Sequence, residues 1–212
     1  MTKNNRIVPG AIIGRGSKGQ THAHNGEDGL SISLSKGHIS VQVQGYVQMI
    51  SALAGELKIN YLKDSVEYIT LTDIQHCCNN IGAMIFTPKH ATYTINTANV
   101  INRLFTRIAE LEKDLEPTEF YLPGGDLVSA KWCVFEAWIR ITESAFVKWT
   151  DVSAIVDIKR PMYEQQIELL NVLSKWTSAE FRHYCKRLGF ANTTWQSNHD
   201  NVLSNTSNNS CI

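Results

Sequence analysis

The sequence has no excess of charge of either sign: Lys+Arg and Asp+Glu each number 20 among 212 residues. Binding to nucleic acid through the phosphate backbone calls for a basic surplus, so no nucleic-acid partner is expected. No apolar run approaches the roughly 18 residues that a bilayer span requires, so no membrane partner is expected either. The opening residues, MTKNNRIVPG, lack the apolar stretch of a secretory signal, which leads us to expect a cytoplasmic protein. Cysteines are few and odd in number: Cys77, Cys78, Cys133, Cys185 and Cys211. Without framework spacing they read as reduced thiols rather than a disulfide scaffold. His76-Cys77-Cys78 has no second ligand pair at metal spacing, so no metal site is expected.

What is present is helical periodicity. Residues 1–38 are rich in Gly, Ser, His and Asn and read as an N-terminal ligand loop region, with a short hairpin around Asn25-Gly26. Five segments with helical spacing follow, and together they predict an all-α five-helix bundle over 39–190. The first, 39–58, aligns Val43, Val47, Ile50, Ala54 and Leu57. The second, about 65–86, carries Ile74, Cys77, Ile81 and Met84, and Pro88 closes it. The third, about 97–115, aligns Ile101, Leu104, Ile108, Leu111 and Leu115. The fourth runs from Asp126, a good N-cap, to about Lys148, with Val134, Ala137, Ile141 and Ala145 on its apolar side. The fifth, about 161–187, aligns Ile167, Leu170, Leu173, Thr177, Phe181 and Tyr184. Residues 191–212, ending NTSNNSCI, read as a disordered polar tail.

Three polar constellations could carry chemistry. The first is Gly16-Ser17-Lys18-Gly19-Gln20-Thr21, with Arg15 before it and Lys36 after it. Its glycines would let backbone amides approach an anion, although the spacing is not that of a P-loop. A plain N-terminal loop is the alternative. The second is Leu122-Pro123-Gly124-Gly125, which reads either as an anion-binding helix start or as an ordinary turn into a helix. The third is Glu136, Arg140 and Glu143, which share a face of the fourth helix. That face is either a solvated ion-pair ladder or an arginine held ready for phosphate.

In that order, these pieces resemble the PduO-type ATP:cob(I)alamin adenosyltransferases. The first loop is similar to that family's GDKGTT, and Asn25-Gly26 and Ser35-Lys36 fall at its NG and SK. Gly45 and Gly55 bracket a helix like its GTxDELN…G. Ile74-Gln75-His76, Ile81-Gly82 and Thr87-Pro88 resemble IQHxLFxIG…TP. Phe120 to Gly125 is similar to FILPGG, Arg140 and Glu143 to its RRAER, and Asn171 and Ser174 to YLNRLSD. The resemblance covers roughly residues 12–185. It implies a homotrimer of ferritin-like five-helix bundles that binds ATP and a corrinoid between subunits. It also implies nucleotide-site positions at Gly16, Lys18, Gly19, Thr21, Lys36, Arg140, Glu143 and Asn171, with Arg140 and Glu143 catalytic if the chain is active; their neighbours Arg15 and Ser17 are added as nucleotide-binding candidates of this chain's own.

Departures from the family pattern gather at charged positions. The loop aspartate is Ser17, and the acidic pair of GTxDEL is Gln48-Met49. The first arginine of the fourth helix is Glu136, and two further arginines are Ile141 and Ser144. In the family, the residues at Gln48 and Glu136 pair across the subunit boundary. Loss of both partners avoids leaving one buried charge alone, so the interface is expected to persist. A carboxylate at Glu136, about 4–6 Å from phosphate, would repel it by roughly 3–4 kcal/mol at an effective dielectric near 20. The expectation is therefore a nucleotide-binding homotrimer that takes ATP or another adenine nucleotide with Mg. It would be catalytically silent and without a corrinoid, acting for example as a viral sponge for a signalling nucleotide. His22, His24 and Trp132 are candidates for new contacts. The alternative is a working adenosyltransferase that makes adenosylcobalamin.

Overall fold

A computed structural model describes residues 19–24, 31–86, 95–115, 123–152 and 160–190. Strands β1 (Gln20–His24) and β2 (Ser31–Ser35) pair antiparallel, with Gln20 opposite Ser35 and His24 opposite Ser31. This is the expected hairpin, although its Asn25-Gly26 turn lies outside the described residues. Five helices follow: α1 (Ile39–Lys58), α2 (Val66–Phe86), α3 (Thr97–Glu112), α4 (Leu127–Val152) and α5 (Arg160–Arg187).

Local chemistry fixes where the helices begin. The Asn96 side chain accepts from the amides of Ala98 and Asn99 at the head of α3. Ser65 Oγ accepts from Tyr68 N at the head of α2. At the head of α4, Asp126 Oδ1 accepts from Ser129 N at 2.7 Å, and Ser129 Oγ accepts from Asp126 N at 3.0 Å. That reciprocal pair satisfies two donors that the first helical turn would leave open. Tyr184 of α5 donates to Asp126 Oδ2 at 2.7 Å, tying the cap to the neighbouring helix.

The bundle closes in the order α2–α1–α4–α5–α3, with α3 meeting α2 most lightly. The stripes expected for α1, α2 and α3 are all buried. On α3 the apolar residues gather on one dominant face, so periodicity and burial agree there most closely.

Helix α4 corrects the sequence reading. Val134 and Ile141 are each 46% exposed, and Ala137 is exposed as well. The buried face is instead Trp132, Phe135, Ile139, Thr142, Phe146 and Trp149. Both faces have helical spacing, and the aromatic one goes inside because it removes far more apolar area from water. Trp132 and Trp176 meet edge to face with centroids 5.3 Å apart. Trp149 and Tyr163 do so at 5.2 Å.

Candidate functional site

The polar features meet pair by pair. At the open end of the hairpin, Lys36 N donates to Gly19 O at 2.9 Å, so Gly19 and Lys36 lie side by side. Gly19 has a φ of 66°, a conformation that glycine adopts without strain. Thr21 follows on β1, opposite Leu34. Lys36 is exposed, as an anion contact requires. Arg15, Gly16, Ser17 and Lys18 lie outside the described residues, as do the side chains of His22 and His24.

On α4, Arg140 Nη1 lies 4.0 Å from Glu136 Oε1, one turn away. The Arg140 side chain is 71% exposed, so its guanidinium faces outward while one carboxylate stands beside it. Burial pushes the Glu136 carboxyl above the usual carboxylate range, and Arg140 only partly offsets that. Glu143 Oε1 accepts from Asn171 Nδ2 at 3.3 Å, linking α4 to α5. Arg140 and Glu143 stand three residues apart on one side of α4, and Asn171 joins Glu143 from α5: a cation and a carboxylate–amide pair one turn apart. Such a group can contact a phosphate through the guanidinium and a hydroxyl or amine through the carboxylate. Within one chain Glu136 meets Arg140, while Gln48 lines a cavity between α1 and α2.

One expectation changes, and one open choice narrows. Trp132 is fully buried and donates from Nε1 to the Tyr61 hydroxyl at 3.0 Å, so it is core rather than a ligand contact. A large indole inside α4's aromatic face serves packing, and its N–H needs a partner there. The Gly124-Gly125 pair takes its plainer reading. Both have positive φ, 138° and 95°, and a Cβ on Gly125 would lie 2.8 Å from the Phe190 ring. The pair therefore turns the chain into α4 beneath Phe190.

Sequence reasoning also missed a buried charge network. Arg107 of α3 meets Glu67 of α2 and Glu180 of α5, each at 2.9 Å, and Glu110 at 3.7 Å. The Glu180 side chain is only 5% exposed and also accepts from Trp176 Nε1. Burial disfavours the charge on Arg107, yet the surrounding carboxylates outweigh it and hold the guanidinium charged. These residues lie on three helices far apart in sequence, so no local motif announces them. Among the described residues, no group of three or more His, Cys, Asp or Glu is placed to hold a metal ion. Among them, too, no helix is long and apolar enough to cross a membrane, and Cys77, Cys78, Cys133 and Cys185 are free thiols.

This architecture defines an all-α protein of the five-helix-bundle class, with an outward-facing arginine–carboxylate–amide group on its fourth and fifth helices. The family model for cobalamin adenosyltransferase matches residues 11–179, and the chain belongs to that family. No curated protein matches this sequence. Among solved structures, the chain is similar to a variant PduO-type ATP:corrinoid adenosyltransferase from Lactobacillus reuteri complexed with cobalamin and ATP. The TM-score is 0.66 at 19% identity, over 86% of this chain and 97% of that one. Another variant of the Lactobacillus reuteri enzyme, complexed with ATP, gives a TM-score of 0.65 at 20% identity, over 82% and 94% of the two chains. At these identities the likeness establishes the bundle fold.

Proposed function

We propose that this chain binds ATP or another adenine nucleotide, with Mg, in pockets between the subunits of a homotrimer, and that it holds the nucleotide rather than consuming it. The observation that carries this reading is the second apolar stripe of α4. Val134 and Ile141 are branched aliphatics left 46% exposed, directly beside Glu136, Arg140 and Glu143. Contiguous exposed apolar surface marks an interaction site. A neighbouring subunit seated there would close over Arg140, Glu143 and Asn171. It would bring Arg15, Gly16, Ser17, Lys18, Gly19, Thr21 and Lys36 of its own N-terminal segment to the same hollow. Gln48 and Glu136 would face each other across that boundary as a neutral donor and an acceptor.

Retention of the nucleotide follows from charge. Turnover develops negative charge on the departing phosphates, which enzymes stabilise with fixed cations. Glu136 beside Arg140 works against that, and each 1.36 kcal/mol of lost stabilisation slows a reaction tenfold. A scaffold that grips the nucleotide but spares its bonds suits sequestration of a signalling nucleotide.

Sedimentation should give a trimeric mass. Calorimetry with MgATP should show binding that weakens at least tenfold in both Lys36→Ala and Arg140→Ala. A monomer, or ATP affinity indifferent to both substitutions, would sink the reading. The contact between Glu143 and Asn171 also favours a second reading, a working ATP:corrinoid adenosyltransferase, since the Lactobacillus reuteri relatives are complexed with cobalamin and ATP. Incubation with ATP and reduced cobalamin separates the two: the absorbance of adenosylcobalamin appears only under the second.

A further inference from the structure

The cavity lined by Gln48 lies between α1 and α2. Its α1 wall is Gln44, Val47, Gln48, Ser51 and Ala52, and its α2 wall is Gln75, Cys78, Asn79, Gly82 and Ala83. Both walls follow the same spacing, i, i+3, i+4, i+7 and i+8, so each is one continuous helix stripe. The hollow measures about 360 Å³, within the range of small-molecule sites. At about 30 Å³ per water it would hold on the order of ten waters, far more than one structural water bridging two groups. No lining residue carries a charge, and four of them are primary amides.

Two of these amides are held in place. Gln75 accepts from Lys58 Nζ and donates to Ser51 O at 3.0 Å. Gln44 lies across Gly82, where a Cβ would stand 2.8 Å from its Oε1 and 3.0 Å from its Nε2. Gln44 Oε1 is out of solvent and has no hydrogen-bond partner among the described residues. A buried acceptor without a donor is destabilising, and such groups call for an explanation.

We infer that this cavity is a binding site for an uncharged, amine-bearing heterocycle of the adenine type. A ligand donor would satisfy Gln44 Oε1, and carboxamides pair edge-on with adenine through its exocyclic amine and ring nitrogen. The lack of cationic lining excludes phosphate from the hollow itself, so this site reads a base and is built from residues other than Lys36 and Arg140. Gly82 serves the site by leaving room for Gln44 to lie flat against α2.

The probe is adenosine, with inosine as its near match lacking the exocyclic amine, measured by calorimetry on the full chain. Adenosine should bind once per chain, and inosine at least tenfold more weakly. Gln44→Met removes the acceptor at nearly constant shape. It should weaken adenosine at least tenfold while leaving the melting temperature unchanged or higher, since the orphaned group is gone. Gly82→Ala should displace Gln44 and weaken adenosine similarly. Arg140→Ala should leave adenosine binding intact, which keeps failure here distinct from failure of the phosphate-contact reading. Silence toward adenosine, equal affinity for inosine, or wild-type affinity in Gln44→Met would each overturn the assignment.

Discussion

Helix α4 has two apolar faces, and the chain treats them differently. The inner face buries Trp132, Phe135, Ile139, Phe146 and Trp149, while the outer face leaves Val134 and Ile141 46% exposed. The two faces differ in bulk, and so in the area that each withdraws from water on folding. The aromatic side wins the core, and the aliphatic side is left over in a single chain. The lesson is that a helix with a second apolar stripe keeps an exposed surface that its own core does not use.

The largest expected effect breaks the inner face. Trp132→Ala removes a fully buried indole and strands the Tyr61 hydroxyl that accepts from it. A loss of about 3–5 kcal/mol in chemical denaturation is expected, independent of protein concentration. A loss below 1 kcal/mol would mean that the two faces do not differ as described.

The matching change outside, Ile141→Asp, should leave the stability of the single chain within about 0.5 kcal/mol, as for other exposed sites. Its effect should appear in sedimentation, as a shift from trimer to monomer. If the variant stays assembled, the outer stripe is not the seat of a neighbour.

Glu136 sits between the two faces, 22% exposed beside Arg140. Glu136→Gln removes the carboxylate that competes with phosphate for that guanidinium. MgATP should bind at least tenfold more tightly, each tenfold being about 1.4 kcal/mol. Unchanged or weaker binding in calorimetry would show that phosphate does not reach Arg140.

The smallest effect concerns Asp126, which starts both faces together. Burial opposes its charge, but the hydrogen bonds from Ser129 and Tyr184 prevail and hold the carboxyl below its usual range. A lowered folded pKa contributes stability above the unfolded value near 4, and that contribution fades as pH falls through the folded value. Asp126→Ala should therefore cost about 1 kcal/mol at neutral pH, and the gap to wild type should close on acidification. Parallel pH profiles would count against the cap.

Legibility followed how many faces each helix offers the core. The stripe of α3 was readable because a single apolar face existed, and the residues picked out on α1 and α2 are buried as well. On α4 two solutions had the same period, and spacing alone chose the wrong one. The Gly19–Lys36 neighbourhood was expected from order along the chain, and the hairpin register supplies the contact itself. Arg107, Glu67 and Glu180 left no trace in sequence, since their meeting depends on three helices converging. The amide cavity was written in two matching stripes, Gln44 to Ala52 and Gln75 to Ala83, but a stripe of amides ordinarily reads as a wet surface.

By itself the sequence determined the five helices and the Asp126 cap of α4, because these depend on neighbours within a turn or two. Only the tertiary structure decided which face of α4 is core, that Trp132 is structural, and that Gln44 lies orphaned over Gly82. Those outcomes depend on competition between whole surfaces for the same interior space, and no local spacing encodes the result of that competition.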